Sequence, residues 1–371
     1  MKTVTFITGH YYPSKRRAGF HNFADAAHAL GYKVNFVTVG YSLLSFLRND
    51  YRTKIPDISK NYNTAVKIRD NFFSYVHFTA WHPMTLLLPF LNRLSMKWMD
   101  AYGQGSLKNL LPIIRQTDIF VFESCPGLFL FNRIKHENPN AKMVYRVSDD
   151  IRILGSTHPR MVKLEKEIVG KFDCVSVPSS VMQSMFPGVS VRLDRHGLDK
   201  SSYDACLESP YEADSINAIF VGTGYMDYDF LQAAASQHED VKFHVIGPIK
   251  DKLNLPNVHF LGEMPFKKTV PYIKFANVGL AIRTFRKGFA ATLTDSLKII
   301  QYRYCGLPMV SPDFIDLHRG GVFYYKPGDA SSCVAAMQQA LQHGRDASFA
   351  LEVQTWGEVA ESILQTVDEA R

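Results

Sequence analysis

Two carboxylates, Asp149 and Asp150, follow the apolar run MVYRVS in this 371-residue chain. A carboxylate just past a buried strand can take the proton from an attacking hydroxyl, the task of a general base. Adjacent carboxylates usually diverge, so one role falls on one residue, Asp149, and Asp150 is left to cap the segment that follows. A structural cap would account for Asp149 equally well. His10 ends the first apolar run, in TGHYY, where an imidazole can serve as a base, hold a hydroxyl or be structural. SKRRAGF comes next. Lys15, Arg16 and Arg17 ahead of a helical pattern make an anion site or a solvated basic loop.

The second half carries residues suited to a diphosphate. Residues 294–310, TDSLKIIQYRYCGLPMV, read as a helix, a tight turn and a strand. Leu297, Ile300 and Tyr304 recur at helical spacing, Gly306 stops the helix and Pro308 prevents it resuming. Ser296, Lys298 and Gln301 lie at the helix start or off the apolar stripe, where backbone N–H groups attract an anion. Arg283 ends another apolar run, with Arg286 and Lys287 behind it, as a phosphate or carboxylate clamp or as an exposed loop. Glu263, in LGEMPF, stands at a strand end from which a carboxylate can hold both hydroxyls of a ribose. Gly222-Thr-Gly224 permits close backbone approach to a phosphate or sugar. It fails as a dinucleotide fingerprint, because Asp227 occupies the third glycine position. Asp227-Tyr228-Asp229 has the spacing of an acidic metal pair, but its place before FLQAAA favours helix capping. No metal and no other cofactor is therefore expected. The diphosphate charge would be met by Lys298, Arg283 and the helix dipole.

These residues need strands that end together. Apolar runs at 4–8, 34–39, 119–123, 143–147 and 174–177, then 218–221, 242–246, 258–261, 278–282 and 309–311, alternate with helical patterns. Most are apolar throughout, as parallel strands covered on both faces are. The expected fold is α/β, two Rossmann-like doubly wound domains with a cleft between them. A polar, turn-rich stretch near 196–215 places the linker. The expected division is 1–200, 201–354 and 355–371, the last a C-terminal helix. That helix is amphipathic, with Val359, Ile363 and Val367 on one face and Trp356 leading in.

Charge and composition narrow the partners. Residues 1–200 hold 27 Lys and Arg against 15 Asp and Glu, and residues 201–371 hold 15 against 20. A basic half suits a membrane surface, a lipid pyrophosphate or nucleic acid. No nucleic-acid-binding module is recognisable, which argues against the last. Five cysteines lie scattered without a CxxC pair, which fits reduced thiols, a cytoplasmic setting and no zinc site. The N-terminal apolar run is too short for a signal peptide. Residues 84–91, MTLLLPFL, are far short of a membrane span and read either as a buried core helix or as a patch dipping into a bilayer interface.

Taken together these residues resemble the xanthan-type β-1,2-glucuronosyltransferases (GumK-like), which are inverting GT-B enzymes. The likeness is scattered over nearly the whole chain and strongest in KRRAGFHNF, FVFES, AKMVYRVSD, RHGLD, FHVIG, LGEM, YIKFANVGLA and SLKIIQYRYCGLP. It implies a GT-B fold in which 1–200 is an acceptor-binding, membrane-facing domain, 201–354 is a nucleotide-sugar-binding domain, and the C-terminal helix 355–371 crosses back to the first. The family's general base falls on Asp149. Its donor-site glutamate falls on Glu263, and its donor-site lysine and glutamine fall on Lys298 and Gln301, beside Leu297. Two positions depart from the pattern: a donor-site methionine falls on Gly224, with Met226 nearby, and a donor-site tyrosine falls on Arg283. His10, Arg16 and Arg17 are left for the acceptor. The resemblance implies a UDP-sugar donor, most simply UDP-glucuronate. It also implies a polyprenyl-diphosphate-linked oligosaccharide acceptor and peripheral attachment to the cytoplasmic face of the inner membrane. Another UDP-hexose, or nucleotide-sugar binding without catalysis, are the alternatives.

Overall fold

Runs of β-branched and aromatic residues assemble into two separate sheets, each in its own compact unit. The first unit comprises Met1–Arg195 and Trp356–Arg371, the second His196–Thr355. The computed structural model describes residues 1–14, 17–48, 50–86, 88–155, 157–222, 225–249, 253–285, 294–315, 317 and 319–369.

The first sheet is built from β1 (Thr3–Thr8), β2 (Lys33–Ser42), β3 (Ala65–Arg69), β4 (Phe72–Thr79), β5 (Ile119–Glu123), β6 (Lys142–Arg146), β7 (Cys174–Val177) and β8 (Val191–Leu193). Their order is β3-β4-β2-β1-β5-β6-β7-β8, and every pairing is parallel except β3 with β4. Strands β1 and β5 are buried at every residue, as parallel strands covered on both faces are. Parallel pairing brings the C-terminal ends of β1, β2, β4, β5 and β6 to one edge, the edge where doubly wound sheets hold their ligands.

The Trp356–Glu369 helix belongs to this first unit. Trp356, Val359, Ala360, Ile363, Leu364 and Val367 form its buried face. Polar ties fix it: Arg192 Nη2 donates to Ser362 Oγ at 2.7 Å, and Lys2 pairs with Asp368 at 2.8 Å. Among the described residues, no helix is long and apolar enough to cross a membrane.

The second sheet contains β9 (Ile216–Val221), β10 (Val241–Ile246), β11 (Val258–Gly262), β12 (Val278–Leu280), β13 (Met309–Pro312) and β14 (Val322–Tyr325). It is parallel throughout, in the order β11-β10-β9-β12-β13-β14. At its ligand edge the backbone closes tightly. Gly247 has φ 146°, and a Cβ there would fall 1.8 Å from the Gly222 carbonyl oxygen, so only glycine fits.

Four strands escape the sequence reading: β3, β4, β8 and β14. Strand β4 matters most. The aromatics Phe72, Phe73, Tyr75 and Phe78 look like the approach to an apolar patch, yet they are a strand, tied to β3 through a turn in which Asn71 takes φ 57°. Ser74 and His77 break its apolar run, and both are buried. The following segment is not a buried helix. Residues 81–86 are irregular, the helix Pro89–Leu94 is short, and Leu88, Phe90, Leu94 and Trp98 stand exposed, Trp98 at 76%. The five cysteines are free thiols.

Candidate functional site

The chemistry of the first unit gathers around a residue for which the sequence suggested no role. Glu123 is the last residue of β5, between β1 and β6 in the sheet, and is buried. Its Oε2 accepts from the Thr8 hydroxyl in a very short bond and from the Gly9 N–H at 3.2 Å. Its Oε1 accepts from the Ser148 hydroxyl at 3.2 Å and lies 3.3 Å from His10 Nε2. One carboxylate therefore joins the loop after β1 to the loop after β6. FVFES shows an acid ending an apolar strand, the signal that could have found it.

Asp149 follows Ser148 in that second loop, and Ser148 N–H also donates to Ser124 Oγ at 3.1 Å. The Asp149 side chain reaches solvent, yet enough protein surrounds it that burial, and then the charge of Glu123, raise its carboxyl above the ordinary 3.8; His10 opposes this. Such a group is poised to receive a proton. Asp150 diverges, as expected. It is buried, caps the following turn through Arg152 N–H at 3.0 Å and pairs with the Arg152 guanidinium at 2.6 Å.

His10 is held by its partners. Burial works against its charge, but the hydrogen bond and charge of Glu123 outweigh burial and raise its pKa above 6.5. Burial alone would raise Glu123, and the bonds from His10, Thr8 and Gly9 reverse this and lower it. The two form an ion pair that keeps Glu123 a carboxylate. Behind them the buried Arg52 donates to the carbonyls of Gly9 and Val39 at 3.1 Å and of Gly40 at 2.6 Å, and so binds the first two strand ends together.

The basic loop is less open than its sequence suggests. Arg17 pairs with Asp25 in a very short contact, and Arg69 and Tyr12 share that carboxylate. The charge of Arg17 is thus largely answered within the chain. Arg16 and Lys15 lie outside the described residues, as do Gly224, Arg286 and Lys287.

In the second unit the helix Leu297–Tyr304 is set by Tyr302. Its hydroxyl donates to the Ile219 carbonyl at 2.9 Å and accepts from Val221 N–H at 3.3 Å. Gly279 on β12 lets the ring in: a Cβ there would lie 2.6 Å from it. This fixes the first turn, with Ser296 as the capping residue and Leu297 half-buried. Lys298 is buried. Its Nζ lies 4.5 Å from the Phe220 ring centroid and has no hydrogen-bonding partner among the described residues, and neither has Ser296 Oγ. Burial, and then the charge of Arg283, push the Lys298 ammonium well below 10.5. The Arg283 guanidinium lies 5.9 Å from the same Phe220 ring centroid, and burial lowers it too. Two cations around one ring, one of them buried and unpaired, make a place where an anion would be strongly favoured. Gln301 is buried one turn along, and Glu263 is exposed directly after β11.

The acidic pair DYD is structural on one side: Asp227 caps the helix Tyr228–Gln237 through Phe230 N–H at 3.1 Å and accepts from the Tyr325 hydroxyl at 2.8 Å. Met226, which lies near the position where the resemblance places a methionine, is a core side chain, 1% exposed. Its neighbour Tyr225 takes φ 53°, which turns the chain so that Met226 enters the core.

Comparison with known proteins follows the same lines. A family model described as glucuronosyltransferase GumK, N-terminal domain, matches residues 6–178. The UDP-glucuronate:glycolipid 2-beta-glucuronosyltransferase of Xanthomonas campestris pv. campestris is 30% identical over 349 residues, which span 91% of this chain and 84% of that protein. Apo OtsA superposes with a TM-score of 0.66 at 11% identity, covering 99% of each chain. A UDP-forming α,α-trehalose-phosphate synthase from Burkholderia xenovorans in complex with glucose-6-phosphate gives 0.61 at 10% identity, over 98% of this chain and 100% of that one. At such identities the structural likeness speaks to the fold alone, and that fold is GT-B.

Proposed function

The chain belongs to the GumK glucuronosyltransferase family, and from that premise we propose that it moves glucuronic acid from UDP-glucuronate to a polyprenyl-diphosphate-linked oligosaccharide, with inversion at C1 and without a metal, in exopolysaccharide synthesis. The observation that carries this reading is Lys298, a buried cation without a hydrogen-bonding partner among the described residues, beside the charge of Arg283. A nucleoside diphosphate supplies the missing negative charge. Glu263 takes the ribose hydroxyls and Gln301 and Leu297 complete the donor site. Where the family has a tyrosine, Arg283 offers a guanidinium that suits the uronate carboxylate.

The acceptor hydroxyl gives its proton to the Asp149 carboxylate as its oxygen attacks C1. The bond from C1 to the β-phosphate oxygen breaks, and UDP leaves with its charge met by Lys298 and the helix N-terminus. Glu123 keeps Asp149 a stronger base, and His10 stays charged against Glu123 beside the acceptor.

The exposed Leu88, Phe90, Leu94 and Trp98, in the half of the chain rich in Lys and Arg, support peripheral attachment to an anionic bilayer, the cytoplasmic face of the inner membrane. Calorimetric titration with UDP, UDP-glucuronate and UDP-glucose in EDTA tests the donor. Tighter binding of UDP-glucuronate is expected. Equal or tighter binding of UDP-glucose moves the donor to a neutral hexose, and no binding of any removes the transferase assignment.

A further inference from the structure

Beyond Asp149 and Glu123, the ligand edge of the first sheet carries a second opening, at the C-terminal end of β4. It is a cavity of about 410 Å³, and its lining includes His77, Trp81, Tyr102, Asn63, Lys108 and Asn109. The rings of His77 and Trp81 both pack against Tyr102, at 6.4 and 6.0 Å between centroids. His77 is 4% exposed, and its Nδ1 has no hydrogen-bonding partner among the described residues.

The chemistry of the lining selects the ligand. Aromatic faces beside scattered amide and imidazole groups suit a sugar, which is apolar on its C–H faces and hydroxyl-rich at its rim. A diphosphate is a poorer fit. Lys108 is the one formal cation in the lining among the described residues, and burial pushes His77 down to about 4, so its ring is neutral.

Position adds a length. Trp81 also forms the wall of a neighbouring apolar cavity of about 470 Å³, lined by Leu86, Leu91, Leu94 and Trp98. Leu94 and Trp98, two of the exposed residues read above as the membrane contact, line that cavity. From β4 to β6, which precedes Asp149, there are four strand steps in the sheet order. At the usual strand spacing this is roughly 19 Å, more than one sugar ring spans and within reach of an oligosaccharide.

We propose that the cavity at the end of β4 is a carbohydrate subsite that holds the lipid-proximal sugar of the acceptor, while the distal sugar presents its hydroxyl to Asp149. The proposal rests on the reading of a lipid-linked oligosaccharide acceptor. It makes acceptor length a property of the fold: a lipid-linked monosaccharide cannot occupy both positions.

Two measurements test it. Saturation-transfer NMR with cellobiose, maltose and lactose asks whether the cavity takes a neutral disaccharide. Transfer to at least one is expected, unchanged by saturating UDP, lost in Trp81→Ala and weakened in Asn109→Ala, a change at an exposed position. No transfer to any, or transfer that persists in both folded variants, overturns the subsite. Turnover with a lipid-linked trisaccharide gives the second reading. Both variants should raise the acceptor KM about tenfold, the loss of one aromatic or amide contact, with the donor KM unchanged. Wild-type protein that binds a disaccharide through Trp81 but turns over no lipid-linked acceptor sinks the transferase reading and not the sugar site. Turnover with unchanged acceptor KM in both variants sinks the subsite and not the transferase.

Discussion

His10 Nε2 stands 3.3 Å from Glu123 Oε1, and this contact ties the loop after β1 to the strand that also holds the loop of Asp149. The raised His10 contributes stability that is complete below its unfolded value and is lost as pH rises through its folded one. The lowered Glu123 contributes stability that is present above its unfolded value and is lost as pH falls through its folded one. The pair therefore stabilises the fold in the interval between the two. The melting temperature of wild type minus that of His10→Asn, followed across roughly pH 4 to 9, should be a bell. A flat difference would mean that the pair is not ionic.

Asp149→Asn should keep its affinity for UDP and lose turnover by about 10²- to 10⁴-fold, the usual worth of a positioned general base. In wild type, kcat should rise with pH as Asp149 loses its proton, with a midpoint above the ordinary 3.8. Glu123→Gln removes one of the two causes of that raised value, after burial. Its midpoint should move to lower pH while kcat falls by about tenfold, since a base of lower pKa is weaker. A kcat profile of Glu123→Gln that overlays the wild type would remove Glu123 from any part in tuning Asp149.

Much of this frame is legible in the sequence because it is local. The strand ends that carry Asp149, Glu263 and Arg283, the cap at Asp227 and the helix that starts at Leu297 each follow from periodicity and stop signals within a few residues. What is not legible is pairing across the sheet. Glu123 meets Thr8 across 115 positions, and no local pattern announces a partner that distant. The same holds for charge. Arg17 reads as an open cation until Asp25, eight residues on, turns out to face it across the start of its helix. Strand β4 is hidden for another reason: Ser74 and His77 are buried polar residues, which break an apolar run without marking an exposed face.

The exposed residues Phe90, Leu94 and Trp98 offer a separable test of membrane contact. Replacing all three by serine should abolish co-sedimentation with vesicles of anionic lipid while UDP affinity stays at the wild-type value. Wild-type binding should weaken as salt rises, because the basic half contributes through screened charge. Equal sedimentation of the variant would mean that charge alone holds the protein to the surface, or that another face does.

Lys298 separates the needs of folding from those of binding. Its buried ammonium lacks a hydrogen-bonding partner among the described residues, so the native state holds its proton less tightly than the unfolded chain does. The unfolded state then binds more protons, and stability must rise with pH between the depressed native value and the ordinary 10.5. Lys298→Met should erase that slope and, in the absence of ligand, raise the melting temperature by about 2–4 °C, the equivalent of roughly 1 kcal/mol of relieved desolvation. The same change should weaken UDP by roughly 10- to 100-fold, the loss of a charge-assisted contact. Restoring the counter-charge should also restore the proton. Calorimetry of UDP binding in buffers of different ionisation enthalpy should show proton uptake by wild type within that pH window and none by Lys298→Met. A variant that melts lower and binds UDP as before would place the diphosphate elsewhere and make Lys298 a structural residue.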